Sequence, residues 1–552
     1  MTNYQFTGGT ICAPATIPGT GAISIIRVSG KESLAIADKV IDTKGVPIAE
    51  TEGYRLRYGT VFEADGSVLD NVIASVFRAP HSYTGENSVE ISCHASRFIV
   101  NKILELLVNA GARIAAPGEF TRRAFVNGKM DLAQAEAVAD VIASQSAASH
   151  RVAMNQLKGG FSSELKVLRE KLLTMTSLLE LELDFSEEDV EFASRKELGQ
   201  LVDDSLTHIR RLTASFSRGN AIKNGVPVAI VGATNTGKST LLNALLGEER
   251  AIVSDIAGTT RDTIEETLNI DGILFRFIDT AGIRETDETI EKIGIDRTFK
   301  KLGEAAVVLG MTDLSRGEAA VLEDADFILS KVNEMGGVKN VGLVSDGAET
   351  GGASTAETGG APLAETGGTS LAETGVASQY GHGDGQERKV VILVNKCDVA
   401  GDFYRDDNGT GYGSGNDLGK NLAEIGGNKN VNRDNNIVSL IENKYDNCKV
   451  IPISAKTGKG LSTLTKTLGE IGSEITGSTD ETLVTNVRHY EALVRAASAL
   501  ERVRAGLHIA TLPPDLIAQD LREALYHLGE IVGEISTDET LGNIFRNFCI
   551  GK

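Results

Sequence analysis

A multidomain chain is expected: an α+β N-terminal domain, an α-helical domain built from two chain segments, and an α/β domain inserted between them. Three observations carry this reading. The length of 552 residues predicts three or four domains at roughly 150 residues each. Prolines are placed unevenly, and the spacing of apolar residues changes character several times along the chain.

The first 127 residues alternate, as in Ala22-Ile23-Ser24-Ile25-Ile26-Arg27-Val28, or run apolar, as in Val72-Ile73-Ala74-Ser75-Val76-Phe77. With glycine and proline punctuation this predicts strands mixed with helices over 1–127. Five of the ten prolines fall before residue 118, and the next one is Pro227. The gap is rich in Ala, Leu, Glu and Lys, with apolar spacing at Leu165, Leu168, Leu172 and Leu173, and at Leu178, Leu179, Leu181 and Leu183. Amphipathic helices over 128–219 follow from that pattern.

From 220 to 476 short apolar runs, at 226–231, 274–278, 305–309, 390–394 and 450–453, alternate with helical stretches. That predicts a mostly parallel, doubly wound sheet. A helical pattern returns over 477–552, interrupted at Pro513-Pro514. Within 220–476, the unit Ala-Glu-Thr-Gly recurs every eight residues, at 348–351, 356–359, 364–367 and 372–375. This insert, about 346–386, and a Gly/Asn/Asp-rich one, about 401–436, lack the apolar mass to repay ordering and are expected to be mobile loops.

Composition excludes several classes. Against 55 Lys+Arg stand 76 Asp+Glu, a formal net charge of −21, so any nucleic-acid role needs a local basic patch or a basic partner. No basic leader followed by an apolar core opens the chain, and no run of 18 apolar residues exists, so neither a signal peptide nor a membrane span is expected. Cys12, Cys93, Cys397, Cys448 and Cys549 are odd in number, scattered and never in CxxC spacing. That argues against a disulfide framework and a zinc site. A reduced, cytoplasmic setting is expected.

Chemistry concentrates in the α/β segment. Gly232-Ala233-Thr234-Asn235-Thr236-Gly237-Lys238-Ser239 fits G-x-x-x-x-G-K-[ST], between an apolar strand pattern and a helical one that opens at Thr240. Its glycines let backbone N–H groups turn onto phosphate oxygens at a helix N-terminus. Lys238 is then expected to reach the β- and γ-phosphates and Ser239 to ligate Mg²⁺. Asp279-Thr280-Ala281-Gly282 follows the run 274–278, with Asp279 on the Mg²⁺ shell and Gly282 near the γ-phosphate. Asn395-Lys396-Cys397-Asp398 follows 390–394; a carboxylate at Asp398 can accept from both guanine N1–H and N2–H₂, and adenine would leave it unpaired. Ser454-Ala455-Lys456 closes the base pocket. Four ordered motifs at strand ends predict GTP binding. Ile283 stands where many GTPases carry a water-orienting Gln, so either hydrolysis is slow unaided or another group acts. Glu285, Asp287, Glu288 and Glu291 lie just downstream.

The chain resembles the TrmE family of bacterial and organellar tRNA-modification GTPases (MnmE). The resemblance covers nearly everything outside the two inserts. It rests on Pro117-Gly118-Glu119-Phe120-Thr121, Asp131-Leu132-Ala133-Gln134-Ala135-Glu136, Asp255-Ile256-Ala257-Gly258-Thr259-Thr260-Arg261-Asp262 and the terminal Phe548-Cys549-Ile550-Gly551-Lys552. It implies a homodimer with a folate-binding N-terminal domain, a split helical domain and an inserted P-loop GTPase domain. It also implies an FAD-dependent partner, MnmG, with which an aminomethyl-type group is installed on C5 of the wobble uridine of certain tRNAs. The one-carbon unit would come from a 5-formyl- or 5,10-methylene-tetrahydrofolate.

By the same resemblance, Asn235, Ser254, Ile256 and Thr259 surround K⁺ and Thr260 joins Ser239 on Mg²⁺. Glu291 positions the hydrolytic water, and Arg27, Glu90, Lys129 and Lys552 contact folate. Cys549 is read either as a functional thiol near the folate or as a buried structural residue; the last four residues do not fit a prenylation signal. Two departures from the family pattern stand out: the enlarged region between DTAG and NKxD, and Met311-Thr312-Asp313, expected to follow the third strand clear of any ligand. The competing reading is an RNA-binding GTPase of ribosome assembly, but no basic or aromatic RNA-binding appendage is visible.

Overall fold

The computed structural model describes residues 8–184, 195–249, 266–278, 305–334, 388–398, 437–445, 448–477, 481–509, 513–535, 541–542, 544–545, 548 and 551. Two compact units form: Met1–Ser144 with Ser149–Phe216 and Thr479–Lys552, and Gln145–Ala148 with Ser217–Ser478. The first begins with β1 (Ile11–Pro14), β2 (Ile23–Ser29), α1 (Ser33–Val40), β3 (Ile41–Asp42), β4 (Arg55–Phe62), β5 (Val68–Phe77), β6 (Ser88–His94), α2 (Arg97–Asn109) and β7 (Arg113–Ile114). The strands make one sheet in the order β3-β4-β5-β6-β2-β1-β7, antiparallel except for the β1–β7 pair.

Alternation gives this sheet two unlike faces. Ile26, Val28, Val72, Ala74, Val76, Val89 and Ile91 point to one side, where Ile36 of α1 and Ile103 and Leu107 of α2 bury them. Each buried Ile, Val or Leu among them contributes roughly 1.5–3 kcal/mol. On the other side, cross-strand rows run Tyr58–Ile73–Ser92–Ile25 and Leu56–Ser75–Glu90–Arg27. There Leu56 and Tyr58 stay about two-thirds exposed, at 65% and 66%.

The helices α3 (Glu119–Val126), α4 (Leu132–Ala143), α5 (Ala147–Leu157), α6 (Gly160–Asp184) and α7 (Arg195–Ala214) lie in the proline-free stretch. Asp131 starts α4 with a reciprocal capping box to Gln134, satisfying donors that a helix start leaves open.

The second unit holds α8 (Phe216–Asn224), β8 (Val226–Gly232), α9 (Lys238–Glu249), β9 (Glu266–Ile270), β10 (Ile273–Ile278), β11 (Val307–Asp313), α10 (Glu318–Glu334), β12 (Lys389–Asn395), α11 (Ile437–Lys444), β13 (Lys449–Pro452) and α12 (Leu461–Thr476). Its sheet runs β13-β12-β11-β8-β10-β9. All neighbours are parallel except β9 and β10. Leucines of α9 and α12 cover one face, and α10 and α11 the other, so the sheet is doubly wound. All five apolar runs are strands. The sixth, β9, lacks an apolar run and exists as the antiparallel edge of a hairpin. Its turn, Asp271-Gly272, has φ of +52° and +81°, the geometry that suits two-residue hairpins. Met311-Thr312-Asp313 does not follow the third strand: it is the buried carboxyl end of β11 itself.

The chain returns to the first unit as α13 (Val487–Leu507) and α14 (Pro514–Val532). Pro514 opens the latter at a position where a missing N–H costs nothing. With α6 and α7 they share a core that includes Leu165, Leu168, Leu172, Leu206, Leu493, Leu500, Leu521 and Leu528, so the helical part does join two chain segments. Leu173 turns outward, 47% exposed. A buried cluster pins α4 to α13 and α14. Arg488 Nε and Nη2 donate to Glu136 at 2.9 and 3.0 Å, and His489 Nε2 lies 2.7 Å from it. Arg488 also donates to the carbonyls of Glu530 and Ile531. Burial acts to raise the Glu136 pKa, but His489 and Arg488 overcome it and bring the carboxyl down to about 2. The C-terminal end docks Leu541, Phe545 and Phe548 on Leu132 and Ala135.

Candidate nucleotide site and a charged cluster on the open sheet

Strand order fixes where a ligand can enter. β8 lies between β10 and β11, so the chain leaves it in one direction and later returns on the other side. At such a switch point the strand ends leave a crevice. The loop 232–237 leaves β8 there and runs into α9. Gly232 has φ +153°, and a β-carbon on it would collide with the Met311 carbonyl. Gly237 has φ +98°, and its β-carbon would collide with Asn395 Nδ2. Asn235, exposed at the loop tip, takes φ +62°. Both glycines are thus required, Gly232 by the backbone of Met311 and Gly237 by the side-chain amide of Asn395.

The other strand ends close on this loop. Asn395, 2% exposed, donates from Nδ2 to the Thr236 carbonyl at 2.6 Å and accepts at Oδ1 from Ala455 N–H at 3.0 Å. One side chain therefore joins the loop after β8, the end of β12 and the turn after β13. Ser454 and Ala455 are buried, whereas Lys456 and Thr240 are exposed and Asp398 and Ser239 are half-buried. Lys238 Nζ donates to the carbonyls of Gly232 and Ala233 at 2.8 and 2.7 Å. Burial draws its ammonium below the ordinary lysine range, which means the site penalises a bare cation and favours an added anion. The half-buried Ser239 hydroxyl and the exposed Asn235 amide carbonyl are hard oxygen donors, the chemistry that Mg²⁺ and K⁺ require.

Asp313 was not among the sequence candidates, yet it reaches this site. Its Oδ2 accepts from Lys396 Nζ at 2.6 Å, so the 311–313 run ends in contact with a residue of the predicted site. The structure brings Asn235, Thr236, Gly237, Lys238, Ser239, Thr240, Asn395, Lys396, Asp398, Ser454, Ala455 and Lys456 to the strand ends of one sheet. Ser254, Asp255, Ile256, Ala257, Gly258, Thr259, Thr260, Asp279, Thr280, Ala281, Gly282 and Glu291 lie outside the described residues, as do both inserts.

On the open face of the first sheet, Arg27 and Glu90 face each other in register across β2 and β6, with Arg27 Nε donating at 2.9 Å. The guanidinium stands over the rings of Tyr83 and Phe120, 5.0 and 5.6 Å from their centroids. Tyr83 is held in turn by a 2.8 Å hydrogen bond between its hydroxyl and that of Thr121. Lys129 is exposed and donates to the Pro80 carbonyl at 3.1 Å. Gly551 (φ +99°) lies so close to Pro14 and Ala15 that a β-carbon would run into them. This brings the C-terminal end beside β1, where Ala13 pairs with Arg27; Cys549 and Lys552 themselves lie outside the described residues. Cys12, Cys93, Cys397 and Cys448 are free and buried. Burial pushes their thiols up to about 11, or about 12 for Cys448, so none is a ready thiolate.

Comparison with known proteins agrees with this layout. The family model described as the MnmE helical domain matches residues 132–549, and that of the GTP-binding protein TrmE N-terminus matches 10–129. The tRNA modification GTPase MnmE of Parabacteroides distasonis is 45% identical over 550 residues, 98% of this chain and 100% of its own. Its namesake in Bacteroides thetaiotaomicron is 43% identical over 546 residues, 98% and 99% of the two chains. That of Porphyromonas gingivalis is 42% identical over 554 residues, 100% and 99%. Matches that span both family models and run essentially end to end make this chain a member of the MnmE (TrmE) family.

Proposed function

We infer that this protein is a GTP hydrolase that acts in tRNA modification. The observation that supports the reading is the Asn395 bridge, which ties the loop after β8 to the turn after β13, as a phosphate loop and a base-reading turn would need. Family membership adds the tRNA, the substrate class named for its relatives. Ser239 and Thr260 would hold Mg²⁺. Asn235, Ser254, Ile256 and Thr259 would hold K⁺, which supplies positive charge where negative charge develops on the phosphates. Glu291, in place of the Gln that Ile283 replaces, would orient the attacking water. Asp398 reads guanine.

The charged cluster on the open sheet suits a folate. Arg27 and Lys129 offer cations to its carboxylates, Glu90 an acceptor to its pterin N–H edge, and the half-buried Tyr83 a ring to stack on. With Lys552 they would hold the tetrahydrofolate that donates the one-carbon unit. An FAD-dependent partner, MnmG, would complete addition of the aminomethyl-type group at C5 of the wobble uridine. The exposed Leu56, Tyr58 and Ile73 rows suit pairing with a second copy in a homodimer. No helix among the described residues is long and apolar enough to cross a membrane; the cytoplasm is proposed as the setting because tRNA is the substrate. Mass spectrometry of tRNA nucleosides tests the reading: a strain lacking the gene should lose the C5-substituted wobble uridine and regain it on complementation. Normal nucleosides with defective ribosomal subunits would favour a ribosome-assembly GTPase instead.

A further inference from the structure

Lys396 occupies an uncommon conformation. Its φ is +64°, in the left-handed region that a β-carbon disfavours, so its surroundings must hold it there. The contact on its side chain is Asp313, the last residue of β11, paired in register with Asn395, the last of β12. Asp313 is 5% exposed, and both its oxygens are engaged. Oδ1 accepts from the Ser315 N–H at 3.0 Å and hydroxyl at 2.5 Å, while Oδ2 accepts from Lys396 Nζ at 2.6 Å. Burial acts against the carboxylate, but the Lys396 and Ser315 bonds outweigh it and keep Asp313 ionised below the usual range.

The turn that begins at Asn395 is therefore tethered at three successive residues. Asn395 is tied to Thr236 and Ala455, Lys396 to Asp313, and Cys397 N–H to the Ile453 carbonyl at 3.2 Å. The residue that follows is Asp398. We propose that Asp313 is a positioning residue for guanine recognition: through Lys396 it fixes the turn 395–398 and with it the place of the Asp398 carboxylate. A carboxylate collects both bonds from guanine N1–H and N2–H₂ only if it lies squarely on that edge, so loosening the turn should cost selectivity as well as affinity. The inference rests on the guanine reading of Asp398 given above.

Inosine diphosphate separates the two effects, because it lacks the 2-amino group and makes one bond fewer to Asp398. Competition of GDP and IDP against a fluorescent GDP, on the full-length protein, measures both affinities. Asp313→Asn keeps the shape and the Ser315 cap but removes the charge; GDP affinity should fall roughly tenfold, as for loss of one charge-assisted bond. IDP affinity should fall less, so the preference for GDP shrinks. Lys396→Met removes the same link from the other side and must shrink the preference too, even if Asp313→Asn fails to fold. In the Lys396→Met background, Asp313→Asn should add less than about twofold, since the pair is already broken. Equal weakening of GDP and IDP, independent losses in the double variant, or unchanged GDP affinity would each overturn the proposal. If the wild-type protein shows no preference for GDP over IDP, the guanine assignment of Asp398 falls, and this inference with it.

Discussion

Asp398 is half-buried one residue beyond Cys397, whose backbone N–H is tied to Ile453, and its charge matters because of what it faces. Asp398→Asn replaces an acceptor pair by one acceptor and one donor, which would oppose a guanine N–H. GTP binding should weaken by about 2–4 kcal/mol, with partial recovery for xanthosine triphosphate; equilibrium titration with both nucleotides checks this, and unchanged GTP affinity would remove the residue from the pocket. Glu136 makes a different residue-level prediction. Its pKa in the folded protein is about 2 against an ordinary 4.5, so it contributes stability above pH 4.5 that is lost as pH falls from there toward 2. Glu136→Gln should lower the thermal midpoint clearly at pH 7, by leaving Arg488 poorly paired in a buried site. The gap to wild type should narrow clearly by pH 3 and close only below about pH 2. A gap that persists undiminished at pH 3 would show that packing, and not charge, holds the cluster.

At the scale of an element, the loop 232–239 is shaped by what it must pass. Gly237→Ala would press a β-carbon on Asn395 Nδ2 in a conformation alanine resists, and so break the bridge to Thr236. GTP affinity should drop by roughly tenfold or more, the equivalent of one charge-free hydrogen bond plus strain, with an unchanged far-UV circular dichroism spectrum. Retained affinity would mean that the bridge is incidental. The same loop carries the cation prediction. Asn235 stands exposed at its tip, able to offer a neutral oxygen to a large monovalent ion, whereas Mg²⁺ prefers a small octahedral shell. GTP turnover should be fast in KCl, slow in NaCl at equal ionic strength, and low and indifferent to the swap in Asn235→Ala. Equal wild-type turnover in the two salts would remove K⁺ from the site.

For the whole molecule, the first unit covers one sheet face at β1 and β2 with Phe120 and Tyr83 but leaves Leu56, Tyr58 and Ile73 exposed there in the neighbouring strands β4 and β5. If that face pairs with a second copy, Tyr58→Arg should halve the mass seen by light scattering. It should leave the thermal midpoint of the remaining chain almost unchanged, because Tyr58 is 66% exposed and outside the core. An undiminished mass would place the dimer contact elsewhere. The Arg27 cluster shares the face, on the row Leu56–Ser75–Glu90–Arg27, so loss of the dimer should also weaken binding of a reduced folate.

What the sequence determined by itself is what depends on near neighbours in the chain. The loop after β8 was legible because glycine spacing, a flanking strand and a flanking helix all lie within about twenty residues, and the strand-end motifs were legible for the same reason. The five buried strands and the split helical domain followed from periodicity and proline placement. Tertiary structure decided the pairings that join distant residues. Arg27 meets Glu90 across 63 residues, Asp313 meets Lys396 across 83, and Glu136 meets Arg488 across 352. No local pattern announces such pairs, because each side chain on its own reads as an ordinary solvated charge, and only sheet register or helix packing brings its partner within reach. The edge strand β9 was missed for a related reason: its residues Glu266–Ile270 carry no apolar run, and pairing with β10 through the Asp271-Gly272 turn, rather than composition, makes it a strand.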